Sequence, residues 1–395
     1  MTRVLMVSDV YFPRVNGVST SIATFRAALA ELGVEVRLVV PRYADEADEE
    51  GIVRVAGRRV PRDPEDRLLS WRAMRAAVAR EAADCALVHI QTPFVAHYAG
   101  TAAARAHRLP LLLTYHTFFE EYLHHYAPFL PAAMLRGLAR KVSRAQCNTM
   151  DGVVVPSTAM RERLAGYGVT RPLHVLPTGI PLHDFAGGER ARFRARHGIA
   201  ADAPVALFIG RLAREKNVGF LLEVAARLRR ELPGFRLVIA GEGPAAGELE
   251  AQAAALGLAD TVRFVGYLDR RAALPDCYAA ADAFVFASRT ETQGLVLIEA
   301  MAAGLPVVAL AAMGTIDILA PRRGALVAPD EVAGFAARVR ELLSAPVRRQ
   351  ALAVEARRYS IEWGDAIMAG RLAGLYRRLL DAGRVEGRAI GCQPG

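Results

Sequence analysis

Short apolar runs alternate with longer helical patterns along this chain. Residues 4–8, 34–40, 86–90, 111–115 and 153–155 are rich in valine, leucine and isoleucine. Runs of that length and composition predict buried parallel strands. After a polar, glycine-containing stretch at 184–198 the rhythm restarts, with runs at 205–209, 235–240, 262–265, 283–287 and 307–310. The restart predicts two domains, 1–183 and 184–362. Alternating strand and helix predicts an α/β class, each domain a doubly wound parallel sheet flanked by helices. In such sheets ligands bind beyond the carboxyl ends of the strands, so the residues just after each run carry most weight. The acidic stretch at 45–50 predicts a solvated loop.

Composition agrees with two cores: the chain has 395 residues, 53% of them hydrophobic and 23% charged. Fifty basic residues against 41 acidic ones give a net charge of +9, and only Lys141 and Lys216 are lysine. The excess is spread over both halves rather than gathered in a tail. It favours an acidic partner without distinguishing phosphate, lipid or nucleic acid. Cys85, Cys147, Cys277 and Cys392 are scattered, with neither a paired nor a zinc spacing, which fits a reducing compartment. The start, Met1 running into RVLMVS, lacks the features of a secretory leader. No apolar run approaches the roughly 20 residues a spanning helix needs. A cytoplasmic protein is the expectation.

Candidate chemistry sits at the strand ends. Gly210, Arg211 and Lys216 follow the run at 205–209, with Lys216 at the start of a helix predicted over 217–230. A helix N-terminus supplemented by a guanidinium and an ammonium suits a diphosphate and stabilises its charge as it departs. After the run at 283–287 comes RTETQGLVLIEAMAAGLP, with Glu291 in a loop and Glu299 eight residues on. The amides of Gln293, Gly294 and Leu295 could receive a phosphate or a hydroxyl. The two carboxylates could accept from separate hydroxyls of one elongated polyol. Glu299 lies among apolar residues, where an unpaired charge is costly.

In the first half, Gly17 lies in the loop after the opening strand, where a glycine permits close approach to an anion. His116 directly follows the run at 111–115 and is placed to orient a hydroxyl or carry a proton, although a structural histidine is an equal reading. Gly241-Glu-Gly-Pro misses the G-x-G-x-x-G spacing of a dinucleotide site, which argues against a dehydrogenase. His124 and His125 sit in an aromatic segment with no carboxylate at a convincing metal spacing, and no Asp-x-Asp occurs. No metal and no other cofactor is expected.

Together, Gly17, His116, the Arg211 and Lys216 pair and the Glu291-x7-Glu299 spacing resemble the family 4 retaining glycosyltransferases of GT-B fold. The resemblance covers nearly the whole chain. It implies two Rossmann-like domains, the second holding a nucleotide-sugar donor and the first an acceptor, with a final helix from about residue 363 to 385 crossing back to the first domain. It implies that Arg211 and Lys216 bind the diphosphate, Glu299 the ribose, Glu291 the sugar hydroxyls, and Gly266 and Tyr267 lie where relatives read the base. Gly17 would approach the diphosphate from the first domain and His116 the sugar near the reaction centre. His116, Arg211, Lys216 and Glu291 are thus the expected catalytic set. Pro181, where many relatives carry Asp after Pro-Thr-Gly-Ile, departs from the pattern.

The stretch from Tyr115 to Tyr126 resembles the subgroup that glucosylates diacylglycerol. Phe118, Tyr122 and Tyr126 recur every four residues, a spacing that lines either an acyl groove or an ordinary core. Arg136, Arg140, Lys141 and Arg144 form a basic series, with Leu135, Leu138 and Val142 as its apolar side, suited to an anionic membrane surface. The expected partners are a nucleotide-diphosphate sugar, a lipid acceptor and such a surface, with no nucleic acid. A GDP-mannose-dependent mannosyltransferase acting on phosphatidylinositol or a glycan shares the same donor motif. A non-catalytic nucleotide-sugar-binding protein is the alternative outside the enzymes.

Overall fold

A computed structural model of the chain describes residues 1–47, 49–60, 63–116, 132–270 and 272–390. Phe118, Tyr122, Tyr126, His124, His125 and Cys392 lie outside the described residues. The chain divides into two compact units, Met1–Gly179 with Asp365–Gly395, and Ile180–Gly364.

The first unit runs β1 (Thr2–Val7), α1 (Gly17–Glu31), β2 (Val34–Arg42), β3 (Ile52–Val60), β4 (Asp63–Leu69), α2 (Trp71–Ala82) and β5 (Leu87–Ile90). It continues with α3 (Val95–His107), β6 (Leu111–Thr114), α4 (Ala132–Cys147), β7 (Gly152–Val155), α5 (Thr158–Gly166) and β8 (Leu173–Val175). Among the described residues these strands form one eight-stranded sheet, ordered β4-β3-β2-β1-β5-β6-β7-β8. Its pairs are parallel except β3 with β4. The central strands are buried throughout, as their unbroken apolar runs require. Three strands escape the apolar-run pattern. Arginines at 54, 58 and 59 interrupt β3, β4 is a charged edge strand, and β8 has three residues.

The second unit contains α6 (Arg190–Arg196), β9 (Val205–Ile209), α7 (Val218–Glu231), β10 (Arg236–Ala240), α8 (Ala246–Ala255), β11 (Val262–Gly266) and α9 (Leu274–Ala280). It closes with β12 (Ala283–Phe286), α10 (Leu295–Ala302), β13 (Val307–Ala309), α11 (Thr315–Leu319), β14 (Ala325–Val327), α12 (Val332–Leu343) and α13 (Pro346–Ser360). Its six-stranded sheet is parallel, ordered β11-β10-β9-β12-β13-β14. Phe208, Phe284 and Phe286 stack at the middle of its core.

The unit boundary falls after Gly179 rather than after 183, for a local reason. The Ile180 amide donates to the Trp363 carbonyl at 3.1 Å, and Ile180 bridges Gly364. Both crossings of the chain are thereby stitched to the second unit. Pro181 precedes a 3-10 turn, Leu182–Phe185, that buries Phe185 in that unit's core. The last helix, α14 (Asp365–Ile390), belongs to the first unit and packs on α1. It buries Met368, Leu372, Leu375 and Tyr376 there. Among the described residues no helix is long and apolar enough to cross a membrane.

Candidate active site

Each sheet has one place where the chain leaves neighbouring strands in opposite directions, and there the strand ends open a crevice. In the second unit that place lies between β9 and β12. Asn217 takes a left-handed backbone (φ 55°) at the start of α7, and its side-chain amide donates to the Ala287 carbonyl at 3.1 Å. Ser288 Oγ donates to the Glu215 carbonyl at 3.1 Å. These bonds tie the loops after β9 and β12 together and bring Lys216 Nζ to 2.5 Å from Glu291 Oε1. Lys216 stands in a 3-10 turn, Arg214–Lys216, two residues ahead of Val218, where the helix begins, so that Asn217 is its N-cap rather than its first residue. Arg211 is exposed in the same loop and, among the described residues, makes no ion pair.

The loop carrying Glu291 is held from beneath. The Gly314 amide donates to the Glu291 carbonyl at 2.8 Å, and a Cβ on Gly314 would lie 2.1 Å from the Thr292 carbonyl oxygen, so no larger residue fits. Gly294 (φ 92°) then turns the chain into α10, which Leu295 opens, with Gln293 buried just before it. Glu299, 7% exposed, is not unpaired: Oε1 accepts from Arg270 Nη2 at 2.9 Å and Oε2 from Tyr278 Oη at 3.1 Å. Tyr267, after β11, is 61% exposed, and Gly266 before it has φ 71°.

The sequence undervalued Gly241 and Gly243. A Cβ at Gly241 would lie 2.0 Å from the Gly210 carbonyl oxygen, and one at Gly243 would lie 2.4 Å from that of Leu212. The Gly210 amide donates to Ala240, that of Leu212 to Glu242, and that of Gly241 to Gly266. These glycines let the loops after β9, β10 and β11 lie against one another, which fixes the floor around Gly210 and Arg211. The signal was present, but it concerned loop packing rather than a dinucleotide.

In the first unit the reversal lies between β1 and β5. Asp9, just beyond β1, meets Thr92, just beyond β5. Thr92 Oγ1 accepts from the Asp9 amide and donates to Asp9 Oδ2, both at 2.7 Å. The Ala96 amide, in the first turn of α3, donates to Asp9 Oδ1 at 3.0 Å. Burial nevertheless outweighs these bonds and lifts the Asp9 carboxyl to about 6. Next to it, Gln91 Oε1 accepts from His116 Nε2 at 3.0 Å, which leaves His116 Nδ1 as an acceptor. Desolvation pulls His116 down to about 4, so the ring is neutral near pH 7. Behind it His89 hydrogen-bonds Tyr376 of α14 and Thr114, each at 2.7 Å, and burial holds its pKa down at about 3. Neither Asp9 nor Gln91 was singled out from the sequence, although Gln91 immediately follows β5 and Asp9 lies two residues beyond β1.

Gly17 is the first residue of α1 rather than a loop residue. Asn16 caps that helix by accepting from the Ser19 amide at 2.8 Å. Apart from the chain neighbours and the backbone of its own helix, no atom of the described residues lies within 4 Å of a Cβ placed on Gly17, so their packing does not demand a glycine there. The basic helix α4 corrects one expectation. Leu135 is buried with Ala139 and Ser143, while Leu138 and Val142 are exposed beside Met134. Arg140 lies 5.5 Å over the Tyr167 ring, and Arg136, Lys141 and Arg144 are exposed. Among the described residues, no group of three or more His, Cys, Asp or Glu is arranged to hold a metal ion. Cys85, Cys147 and Cys277 are free and buried.

Comparison with known proteins agrees with both halves. Residues 15–184 match glycosyltransferase family 4, and residues 189–359 match the glycosyl transferases group 1. The chain is 33% identical over 322 residues to an alpha-monoglucosyldiacylglycerol synthase of Streptococcus pneumoniae, covering 78% of this chain and 70% of that one. It is 30% identical over 389 residues to a GDP-mannose-dependent alpha-mannosyltransferase of Mycobacterium tuberculosis, covering 95% and 96%. Among solved structures, a sucrose-phosphate synthase from Thermosynechococcus elongatus superposes with a TM-score of 0.79 at 22% identity, over 97% of this chain and all of that one. Anabaena HepE in complex with UDP gives 0.76 at 19% identity, over 96% and 100%, a likeness of fold. The chain belongs to the family 4 glycosyltransferases of GT-B fold.

Proposed function

We propose that this glycosyltransferase moves glucose from UDP-glucose to diacylglycerol with retention of configuration at the anomeric carbon and without a metal ion. The observation that carries the donor half is the Lys216–Glu291 pair at the reversal of the second sheet, with Arg211 beside it in the same loop. Lys216 and Arg211 would neutralise the diphosphate. Glu291, released from Lys216 as phosphate takes its place, would accept from sugar hydroxyls. The bond from the anomeric carbon to the departing diphosphate oxygen breaks. The acceptor hydroxyl oxygen attacks from the same face and passes its proton to the leaving phosphate. His116, neutral and fixed by Gln91, would orient a hydroxyl near the reacting carbon through Nδ1.

Two relatives support the lipid acceptor. Both are alpha-monoglucosyldiacylglycerol synthases, from Streptococcus pneumoniae and Acholeplasma laidlawii, the second 28% identical over 321 residues. The exposed Met134, Leu138 and Val142, interleaved with Arg136 and Lys141, would let α4 rest on an anionic membrane. A second reading, mannose transfer from GDP-mannose, has its own support in the mycobacterial relative that matches nearly the whole chain.

The deciding assay offers purified protein UDP-glucose, UDP-galactose and GDP-mannose with diacylglycerol or phosphatidylinositol in anionic vesicles. Products are read by mass spectrometry and by the anomeric proton coupling. An α-glucosyl diacylglycerol formed equally well in EDTA is the expected result. A mannosylated product replaces the substrates, a β-linked product removes retention, and strict dependence on added magnesium removes the metal-free mechanism.

A further inference from the structure

Glu299 is a buried carboxylate that the structure equips more elaborately than an ordinary helix residue. A charge so enclosed is tolerated when it is paired and hydrogen-bonded. Arg270, from the loop after β11, supplies the countercharge to Oε1, and Tyr278, from α9, supplies a hydroxyl to Oε2. Two separate segments of the second unit thus converge on a carboxylate carried by a third.

The supports are themselves held. The Arg270 guanidinium carbon lies 5.7 Å from the centre of the Phe185 ring, and Phe185 stands edge-on to Tyr278 at 6.0 Å between centroids. Tyr278 is 1% exposed, so Glu299 takes the place of water as the partner of its hydroxyl. Burial raises that hydroxyl well above its ordinary range, which keeps it a donor. Arg270 differs in retaining a 40% exposed side chain, so one edge of the guanidinium faces solvent while the other holds Glu299.

Each carboxylate oxygen offers two lone-pair directions, and here one on each is taken from within the protein. Among the described residues no other donor reaches the pair, which leaves one acceptor position on each of two adjacent oxygens. That pattern matches the two donors of a vicinal diol. We propose that Arg270, with Tyr278, is a positioning residue that sets the Glu299 carboxylate to receive the 2′,3′-diol of the donor's ribose, so that selection for a ribonucleotide depends on a residue that need not touch it. The proposal rests on the reading of the second unit as the nucleotide-binding half.

The test is calorimetric titration of the full chain and its variants with UDP and with 2′,3′-dideoxy-UDP, or with GDP and its 2′,3′-dideoxy form if GDP is the nucleotide bound. Wild-type protein is expected to prefer UDP by about tenfold or more, the worth of a charge-assisted hydrogen bond. Arg270→Gln should bring that preference close to one, chiefly by weakening UDP, while dideoxy-UDP binding stays within about twofold. Arg270→Lys should restore part of the preference. Tyr278→Phe, which keeps the ring packing, should lower it several-fold. A preference unchanged in Arg270→Gln overturns the proposal, as does equal weakening of both ligands, which would mean attraction of the phosphates or a general loss of structure. If wild-type protein binds both ligands equally, the diol is not read and the proposal fails alone. If it binds neither UDP nor GDP, the reading of the second unit falls with it.

Discussion

The two sheets solve the same placement problem with opposite electrostatics. Each gathers polar side chains where its strand order reverses, β1 against β5 in the first unit and β9 against β12 in the second. In the second unit the groups are ions held in pairs, Lys216 with Glu291 and Arg270 with Glu299. In the first they are desolvated groups pushed toward neutrality: Asp9 raised to about 6, His116 lowered to about 4 and His89 to about 3. Preformed ions suit a site that receives a diphosphate and stabilises its departure. Neutral imidazoles beside a carboxylate whose charge is weakly held suit a site that orients hydroxyls without competing for that charge.

The sharpest way to break this contrast is to remove charge from the second reversal. Lys216→Ala and Glu291→Ala should each lower kcat for sugar transfer about 100- to 1000-fold, the scale of losing one transition-state contact in a closed site. Both should leave the far-ultraviolet circular dichroism unchanged. Near-normal turnover in both would show that the ion pair is structural and that leaving-group stabilisation lies elsewhere.

The next effect is on stability in acid, and it should be lopsided. His89, His97 and His116 have folded pKa values below the ordinary 6.5, at about 3, 4 and 4. Below pH 6.5 the unfolded chain therefore takes up protons that the folded one refuses. The stability these groups lend at neutral pH is lost as pH falls toward 4, at about 3 kcal/mol for a shift the size of that at His116. Asp9 has the opposite sign: its raised carboxyl gains a proton more readily when folded, so its contribution returns over pH 6 to 4 and offsets part of the loss. In the second unit, Arg192 beside Asp276 and Arg289 beside Asp330 depress the carboxylates, whose contribution persists until pH drops below the usual carboxylate range. Hydrogen exchange at pH 7 and pH 5, corrected for intrinsic rates, should show β5 and β6 losing protection before β9 and β10. Parallel loss in both sheets would defeat the comparison.

A smaller effect belongs to Gln91. Gln91→Ala removes the acceptor that orients His116, and kcat should fall about tenfold with the KM for donor little changed. Gln91→Asn, which keeps an amide one methylene short, should recover part of it. A change in donor KM alone would mean that Gln91 serves the fold rather than the histidine.

How much of this could be read from the chain depended on whether a residue's role was expressed along the sequence or across it. The apolar runs marked the central strands because burial on both faces leaves no other composition available to them. They said nothing of β3 and β4, where a half-exposed sheet edge admits Arg54, Arg58 and Arg59. Lys216, Glu291 and Glu299 were legible as candidates because each stands at a strand end or in a short motif. Arg270 and Tyr278 were not, since their meaning lies in one carboxylate 29 and 21 positions away. Gln91 and Asp9 were legible in position but not in kind, because desolvation is a property of the packed unit. In α4 the heptad-like spacing of Leu135, Leu138 and Val142 suggested one apolar side, whereas packing buries the stripe of Leu135 and Ala139 and leaves the other two at its rim.

The smallest expected effect separates bond length from value. Arg289 donates to Asp330 through two nitrogens at 2.7 and 2.6 Å, nearly the separation of Lys216 from Glu291. Distance alone would rank the two pairs together. Their surroundings differ: the Arg289 and Asp330 side chains are 53% and 51% exposed, against 23% and 15% for Lys216 and Glu291. Water and salt screen the exposed pair, and ordering its side chains offsets most of what attraction remains. Arg289→Ala should therefore change unfolding free energy by less than about 1 kcal/mol, and by less still in high salt. Turnover should stay within about twofold of wild type, because Arg289 opens the loop that carries Glu291 without supplying it a partner. A loss of activity approaching that of Lys216→Ala would place Arg289 in the donor site and extend the charged half of the comparison by one residue.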